Sequence, residues 1–391
     1  MTDLLTLEAA IEAVLAHSAR LPGEPVALGE AAGRVLAEPA LACVDLPPFA
    51  SSAMDGFALR SADTPGRLPV VARIAAGSPA PRALGPEEAM GIATGGVVPE
   101  GADAVVPIER VVQQDDNVEV PHAVDQSDNI RPRGGDAREG DVVLEAGTRL
   151  GAAQIGALAA AGVAEIVCTR QPRVAVLATG SELRTPGETL EPGEIYEANG
   201  AMLEAALRAH GAAVGRLALV RDDENAHHEA IARALEADVV VSSGGVSVGP
   251  HDLVRRVAAK LGVEEVFWRV AVKPGKPISF GVRDATLVFG LPGNPVSTLV
   301  GFELFVRPAL RALEGERDPG PRFRQASLAR PLRRNSARDE LVRARWRDGA
   351  LEALGGQESH MIVRAAAADV LVLVPRGEGE LAGEVSYLPL A

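Results

Sequence analysis

Cysteine is almost absent from this 391-residue chain, which holds only Cys43 and Cys168. Two isolated thiols supply neither a disulfide framework nor a thiolate zinc cluster, so a reducing cytoplasm is expected. Aromatic residues make up 3%, too few for a platform that stacks nucleic-acid bases. Positive charge is in deficit, 39 basic against 53 acidic residues for a net −14. That excludes a sequence-independent grip on nucleic acid or on an anionic membrane. No targeting segment is expected either, because Met1 to Ala10 carries Asp3 and Glu8 and lacks a basic start before an apolar stretch. The most apolar window, Leu150 to Cys168, is mostly Ala and Gly and includes Gln154 and Glu165. A membrane span needs about 20 strongly apolar residues, so the window reads as a buried helix.

Lysine is the sharpest shortage. Of the 39 basic residues only Lys260, Lys273 and Lys276 are not arginine. Two of the three nonetheless sit in Val272-Lys-Pro-Gly-Lys-Pro277, which points to a site needing a compact ammonium rather than a planar guanidinium fork. What remains, 47% hydrophobic and 24% charged, is ordinary globular composition with room for two to four domains.

Residues 173 to 315 alternate strand and helix. Apolar runs at Arg173 to Ala178, Arg216 to Val220, Asp238 to Ser242, Glu265 to Arg269 and Ala285 to Gly290 read as strands. Helices are expected at Asn199 to His210, with Asn199 as its cap, at Asn225 to Glu236, before Lys260, and at Val296 to Leu313. This alternation predicts a doubly wound α/β domain that binds ligands at the carboxyl ends of its strands. Residues 43 to 138 and 321 to 391 carry short alternating runs among Gly and Pro and read as β-rich.

Three loops of the α/β unit share one design: Thr179-Gly-Ser-Glu182, Ser242-Ser-Gly-Gly-Val-Ser247 and Leu291-Pro-Gly-Asn-Pro-Val-Ser297. Each follows an apolar strand with small residues and hydroxyls, so backbone N–H groups can face an anion at a helix start. One such loop is an ordinary turn, but three on one sheet edge describe a site. Glu182, Asp222 and Asp252 decorate the same edge, either as helix caps or as carboxylates holding magnesium beside a phosphate. The lysine pair would offset their repulsion of an oxyanion. His227, His228 and His251 lie nearby in sequence and read as solvated or capping residues. The β-rich part adds small-residue turns at Ser51 to Gly56, Thr94-Gly-Gly96 and Arg133-Gly-Gly-Asp136.

These motifs resemble one family. Ser52-Ala-Met-Asp-Gly-Phe-Ala58, Thr94-Gly95 with Pro99-Glu-Gly-Ala-Asp-Ala-Val-Val106, Arg133-Gly-Gly-Asp136, Ala178-Thr-Gly-Ser-Glu-Leu183, Ser243-Gly-Gly-Val-Ser-Val-Gly249, Lys273-Pro-Gly-Lys-Pro277, Leu291 to Ser297 and Gly356-Gln-Glu-Ser-His360 occur in the order of the molybdopterin molybdenumtransferases (MoeA). The chain is similar also to the E domains of gephyrin and of plant molybdenum insertases. Where that family commonly has an acidic residue, this chain has Ala50, Ser181, Gly135 and Pro250, read as family variation because Asp55, Glu182 and both lysines remain.

The resemblance implies four modules. A MogA-like α/β molybdopterin-binding domain would take residues 1–22 and 169–320, a connecting domain 23–42 and 139–168, a β-rich lid 43–138, and a C-terminal β-barrel 321–391. It implies insertion of molybdenum from molybdate into adenylylated molybdopterin with release of AMP, assisted by Mg2+ or a similar divalent cation. It implies a cytoplasmic homodimer whose cleft joins the α/β edge of one subunit to the lid of the other, supplied by a MogA-type adenylyltransferase. Carried over by position, Asp55, Thr94, Asp136, Glu182, Asp222, Asp252, Lys273 and Lys276 are the expected catalytic residues. Glu182, Asp222 and Asp252 are the expected metal ligands. Thr179, Gly180, Ser243, Gly244, Gly245, Ser247, Pro292, Gly293, Asn294, Pro295, Ser297 and Ser359 are the expected substrate contacts. A tungstate-inserting paralogue and a gephyrin-like scaffold are the alternative readings.

Overall fold

The computed structural model describes residues 4–216, 219–221, 223–245 and 253–390. Its central sheet has the order Ala213–Arg216, Arg173–Ala178, Val239–Ser243, Thr286–Leu291, Ser279–Arg283, Glu264–Trp268. The first four strands are parallel, Ser279–Arg283 runs against them, and Glu264–Trp268 pairs antiparallel with Ser279–Arg283. Side chains of a strand alternate between its faces, and here the alternation fills two separate cores. Val174, Val176, Val239, Val241, Leu287 and Phe289 pack against the helices Leu7–His17, Asn199–His210 and Arg307–Leu313. Ala175, Leu177, Val240 and Val288 pack on the other face against Glu224–Ala234 and Leu253–Lys260. The chain is therefore the expected mixed α/β protein with helices on both faces of its main sheet.

Local chemistry sets the helix ends. Asp223, not a residue further on, caps Glu224–Ala234 by accepting from the amide of Ala226 at 2.9 Å. The sequence reading of one uninterrupted helix from Val296 to Leu313 is corrected to Pro295–Gly301, a π turn at Phe302–Val306, and Arg307–Leu313. Pro308 has no N–H and its ring crowds the carbonyl four residues back, which widens the turn before it. Leu150 to Cys168 is likewise not one buried helix. A helix covers Ala152–Ala160, Gly162 turns the chain at φ 80, and Glu165–Thr169 pairs antiparallel with Gly23–Ala27. The β-branched Ile166-Val167 favours that strand. Strand Ser279–Arg283 has no counterpart in the sequence reading, which passed over its Gly and Arg.

The second β unit is a six-stranded sheet ordered Ala104–Pro107, Gly56–Leu59, Ala89–Ile92, Gly66–Ile74, Asn117–Val120, Val112–Gln114. A Cβ on Gly56 would lie 1.9 Å from the carbonyl oxygen of Val106, so only glycine lets these two strands pair. At the other end of the chain Asp339–Arg347, Val370–Val374, Glu384–Pro389 and Arg324–Ser327 pair in that order, and Ala350–Ala353 pairs with the first. A bridge between Leu328 and Leu351 closes the ring. That closure makes a small barrel filled by Val342, Ala344, Val372, Val374 and Tyr387. Among the described residues no helix is long and apolar enough to cross a membrane.

Candidate active site

The three strand-end loops meet. Thr179, Gly180, Ser243, Gly244, Gly245, Pro292, Gly293, Asn294 and Pro295 line one cleft of about 720 Å3, with Glu182 on its wall. The loops are laced by their own backbone, Thr179 N donating to Ser243 O at 3.1 Å and Gly244 N to Leu291 O at 3.0 Å. Glycine is required at the centre. Gly244 holds φ +91 with the Thr179 carbonyl 2.6 Å from where a Cβ would stand, and Gly245 holds φ +64 against Val254. Ser297, buried in the first turn of its helix, is not among the residues of the cleft wall.

Asn199 proves more than the expected cap. Ala198 is the residue preceding the helix, and no side chain caps it. The Asn199 amide nitrogen instead donates to Ser243 Oγ and to Gly293 O, both at 2.7 Å. Gly293 O can only accept, which fixes the orientation of the amide. One side chain thus ties two of the three loops together, a role that helix-start statistics cannot distinguish from capping.

The acidic residues are only partly gathered. Glu182 lines the cleft, whereas Asp222, Asp252 and Ser247 lie outside the described residues, as do His251 and Pro250. Among the described residues no three His, Cys, Asp or Glu side chains are grouped to hold a metal ion. Of the histidines, His228 is exposed, but His227 corrects the solvated reading: it is 1% exposed, with Nδ1 bonded to Asp223 O at 2.9 Å.

The C-terminal barrel reaches into the same cleft. His360 and Ile362 line it, and Ser359 accepts from the amide of Val296 through its carbonyl at 3.0 Å. The contact of Ser359 with the helix start is thus made by backbone. Sequence reasoning missed what holds this loop: Arg343, 1% exposed on the face of its strand opposite Val342 and Ala344. Its guanidinium donates to Gly356 O at 2.7 Å, Met361 O at 2.9 Å, Glu358 O at 3.2 Å and Gln357 Oε1 at 3.3 Å. Burial holds its pKa below the usual arginine value.

Lys273 and Lys276 differ in their surroundings. Val272–Lys273 pairs in parallel with Asp339 and Glu340 of the barrel, and Lys273 Nζ forms an ion pair with Glu340 at 2.8 Å. Lys276 is exposed and has no carboxylate partner among the described residues. Neither lysine belongs to the cleft wall, although Pro277, next to Lys276, does. Lys260 is consumed on the surface by Glu224.

The second sheet gathers its own set. Asp55 Oδ1 accepts from the amide of Thr94 at 2.6 Å and from its hydroxyl at 3.0 Å. These two bonds hold the Asp55 carboxyl below its ordinary pKa. Backbone bonds from Gly95 N to Ser52 O and from Ala53 N to Asn129 O bring the neighbouring turns together. Asp136, exposed, follows a turn pinned by Gly134 N to Pro47 O and by an Arg133–Asp45 ion pair. Asp55, Thr94 and Asp136 do not line the cleft of the α/β unit in the single chain.

A mixed α/β sheet with three small-residue loops at its strand ends, flanked by a β lid and a C-terminal barrel, defines a multidomain protein built around a molybdopterin-binding type of domain. The probable molybdopterin binding domain family matches residues 175–312, the MoeA N-terminal region (domain I and II) 5–162, and the MoeA C-terminal region (domain IV) 325–389. A molybdopterin molybdenumtransferase of Staphylococcus aureus (strain Mu50) is 34% identical over 95% of this chain and 92% of its own. One of Staphylococcus epidermidis (strain RP62A) is 32% identical over 97% and 94%. A crystal structure of the molybdopterin biosynthesis MoeA protein from Pyrococcus horikoshii superposes with a TM-score of 0.83 at 31% identity over 100% of both chains. A second structure of the protein from Pyrococcus horikoshii OT3 gives 0.87 at 28%, over 99% of this chain and 100% of that one. The chain belongs to the molybdopterin molybdenumtransferase family, and it is an enzyme, a transferase.

Proposed function

We propose that this enzyme inserts molybdenum from molybdate into adenylylated molybdopterin with release of AMP, completing the molybdenum cofactor. The observation that carries this reading is the cleft in which three glycine-containing turns meet at the carboxyl ends of parallel strands. That geometry suits the phosphates of a pterin–nucleotide anhydride. Lys276, exposed and free of a carboxylate beside the cleft, stabilises negative charge on the incoming oxyanion and the departing AMP. Lys273 shares that task from its ion pair with Glu340.

The residues fit a magnesium ion in one mode. Mg2+ commonly takes one or two carboxylates and completes its shell with substrate phosphates and water. Glu182 on the cleft wall would be one such ligand, and Asp222 and Asp252 are its expected companions by sequence. When bound, the ion would polarise the phosphoanhydride.

Asp55, Thr94 and Asp136 serve the cleft from the lid of a second subunit in a cytoplasmic homodimer, to which a MogA-type adenylyltransferase delivers the substrate. Lys276→Ala tests the reading: the exposed turn folds normally, and molybdate-dependent AMP release falls by about 10²–10³. Normal turnover by the folded variant would refute the lysine role.

A further inference from the structure

One wall of the cleft is a flap that the function described so far leaves unused. Leu183–Arg184 and Ile195–Tyr196 form a short parallel pair, with Ile195 N donating to Glu182 O at 2.9 Å and Glu197 N to Arg184 O at 2.8 Å. The flap turns three large apolar side chains to solvent within seven residues: Leu190 at 38%, Ile195 at 54% and Tyr196 at 45% exposure. Single exposed apolar residues are normal, but a cluster at the rim of a cleft marks a contact surface. Ile195 and Tyr196 line the cleft itself, and Tyr196 is the only Phe, Tyr or Trp among the described residues of its wall. The phenol is anchored, donating to Glu188 O at 2.9 Å, so little side-chain freedom is left to lose on binding.

Charge decides which part of a ligand this wall can take. From Leu183 to Glu197, beyond the Glu182 that would hold the magnesium ion, stand four glutamates and one arginine, and the arginine is already paired with Glu194. A phosphate or molybdate would be repelled by this stretch and directed to the glycine loops and the Glu182 side of the cleft instead. An uncharged flat ring has no such conflict, and a tyrosine face is an amphipathic surface for it.

We propose that Tyr196 is the face on which the pterin ring of the substrate stacks, with the phosphate end directed to the glycine loops at Gly244 and Gly293. This rests on the reading of the cleft as the molybdopterin site. His360, reaching the same cleft from the barrel, is a second ring available to the ligand.

The test is equilibrium binding of molybdopterin under anaerobic conditions to the full-length wild type, Tyr196→Ala and Tyr196→Phe, with bound and free ligand separated by ultrafiltration and each quantified by pterin fluorescence after oxidation. Base-to-aromatic stacking is worth enough that Tyr196→Ala weakens binding about 5- to 150-fold. Tyr196→Phe keeps the ring and stays within about twofold of wild type. Equal binding by wild type and a folded Tyr196→Ala would overturn the stacking role alone. Equal losses in the Phe and Ala variants would also overturn it, since the clasp on Glu188 would then carry the effect. No binding by the wild type would overturn the reading of the cleft itself, and this inference with it.

Discussion

Replacing Arg343 with methionine is expected to release the loop that the barrel extends to the cleft. The guanidinium makes four hydrogen bonds, three of them to the carbonyls of Gly356, Glu358 and Met361. Methionine fills much of the same space and offers no donor. Each acceptor left buried without a partner costs about 1–3 kcal/mol. Glu358 is exposed, so its carbonyl regains water, and loss of a buried cation offsets part of the rest, because burial already disfavours the charged form. The net expectation is about 3–5 kcal/mol, the range for breaking a buried charged network. Urea unfolding of the purified enzyme measures the loss, and hydrogen exchange localises it. The amide of Val296, whose partner is the Ser359 carbonyl, should lose protection together with residues 354–361. A variant within about 0.5 kcal/mol of wild type, with the Val296 amide still protected, would refute this account of the loop.

Other expectations follow from single sites. Asp238 lies at the strand ends away from the cleft; burial raises its pKa, but the paired bonds from Arg170 and the bonds from Arg173 outweigh it and hold it at about 2. A depressed carboxyl stabilises the fold above its unfolded value near 3.8 and loses that contribution as pH falls toward 2. Asp238→Asn should therefore cost about 2 kcal/mol at neutral pH and little near pH 2 in unfolding measured across that window. Gly244→Ala places a Cβ 2.6 Å from the Thr179 carbonyl at φ +91; the strain is about 1–3 kcal/mol, and calorimetry should show both a lower Tm and at least tenfold weaker ligand binding. Asn199→Ala removes the tie between Ser243 and Gly293, and turnover should fall through kcat more than through stability; an unchanged kcat would remove Asn199 from the site. Mixing Asp55→Asn with Lys276→Ala chains should restore activity that each variant alone lacks, as the proposed pairing of lid and loops across subunits requires; no recovery would refute that pairing.

The α/β sheet was legible because its strands are runs of Val, Leu and Ala broken by glycine-rich turns, a pattern that survives in one dimension. Strand Ser279–Arg283 was not, since its Gly281 and Arg283 blur the apolar run and its pairing is antiparallel to a neighbour seven residues on. The three loops announced themselves by small residues at equivalent places. Asn199 carried a true signal, read as a cap because capping and loop-tying use the same residue type at the same place. Arg343 gave no signal at all, because a buried arginine among 36 looks like surface charge until the loop at Gly356 to Met361 folds over it. Lys273 was singled out by rarity, yet its partner Glu340 lies 67 residues away and only strand register brings the two together.

The most direct measurement combines purified protein, adenylylated molybdopterin, magnesium and molybdate, with AMP release and reconstitution of an apo-molybdoenzyme followed together. The account predicts AMP release that depends on molybdate and a product that restores activity. A stronger response to tungstate would assign the chain to a tungsten-inserting paralogue. No AMP from the folded protein would contradict the insertion reading and leave the cleft a binding or scaffold surface.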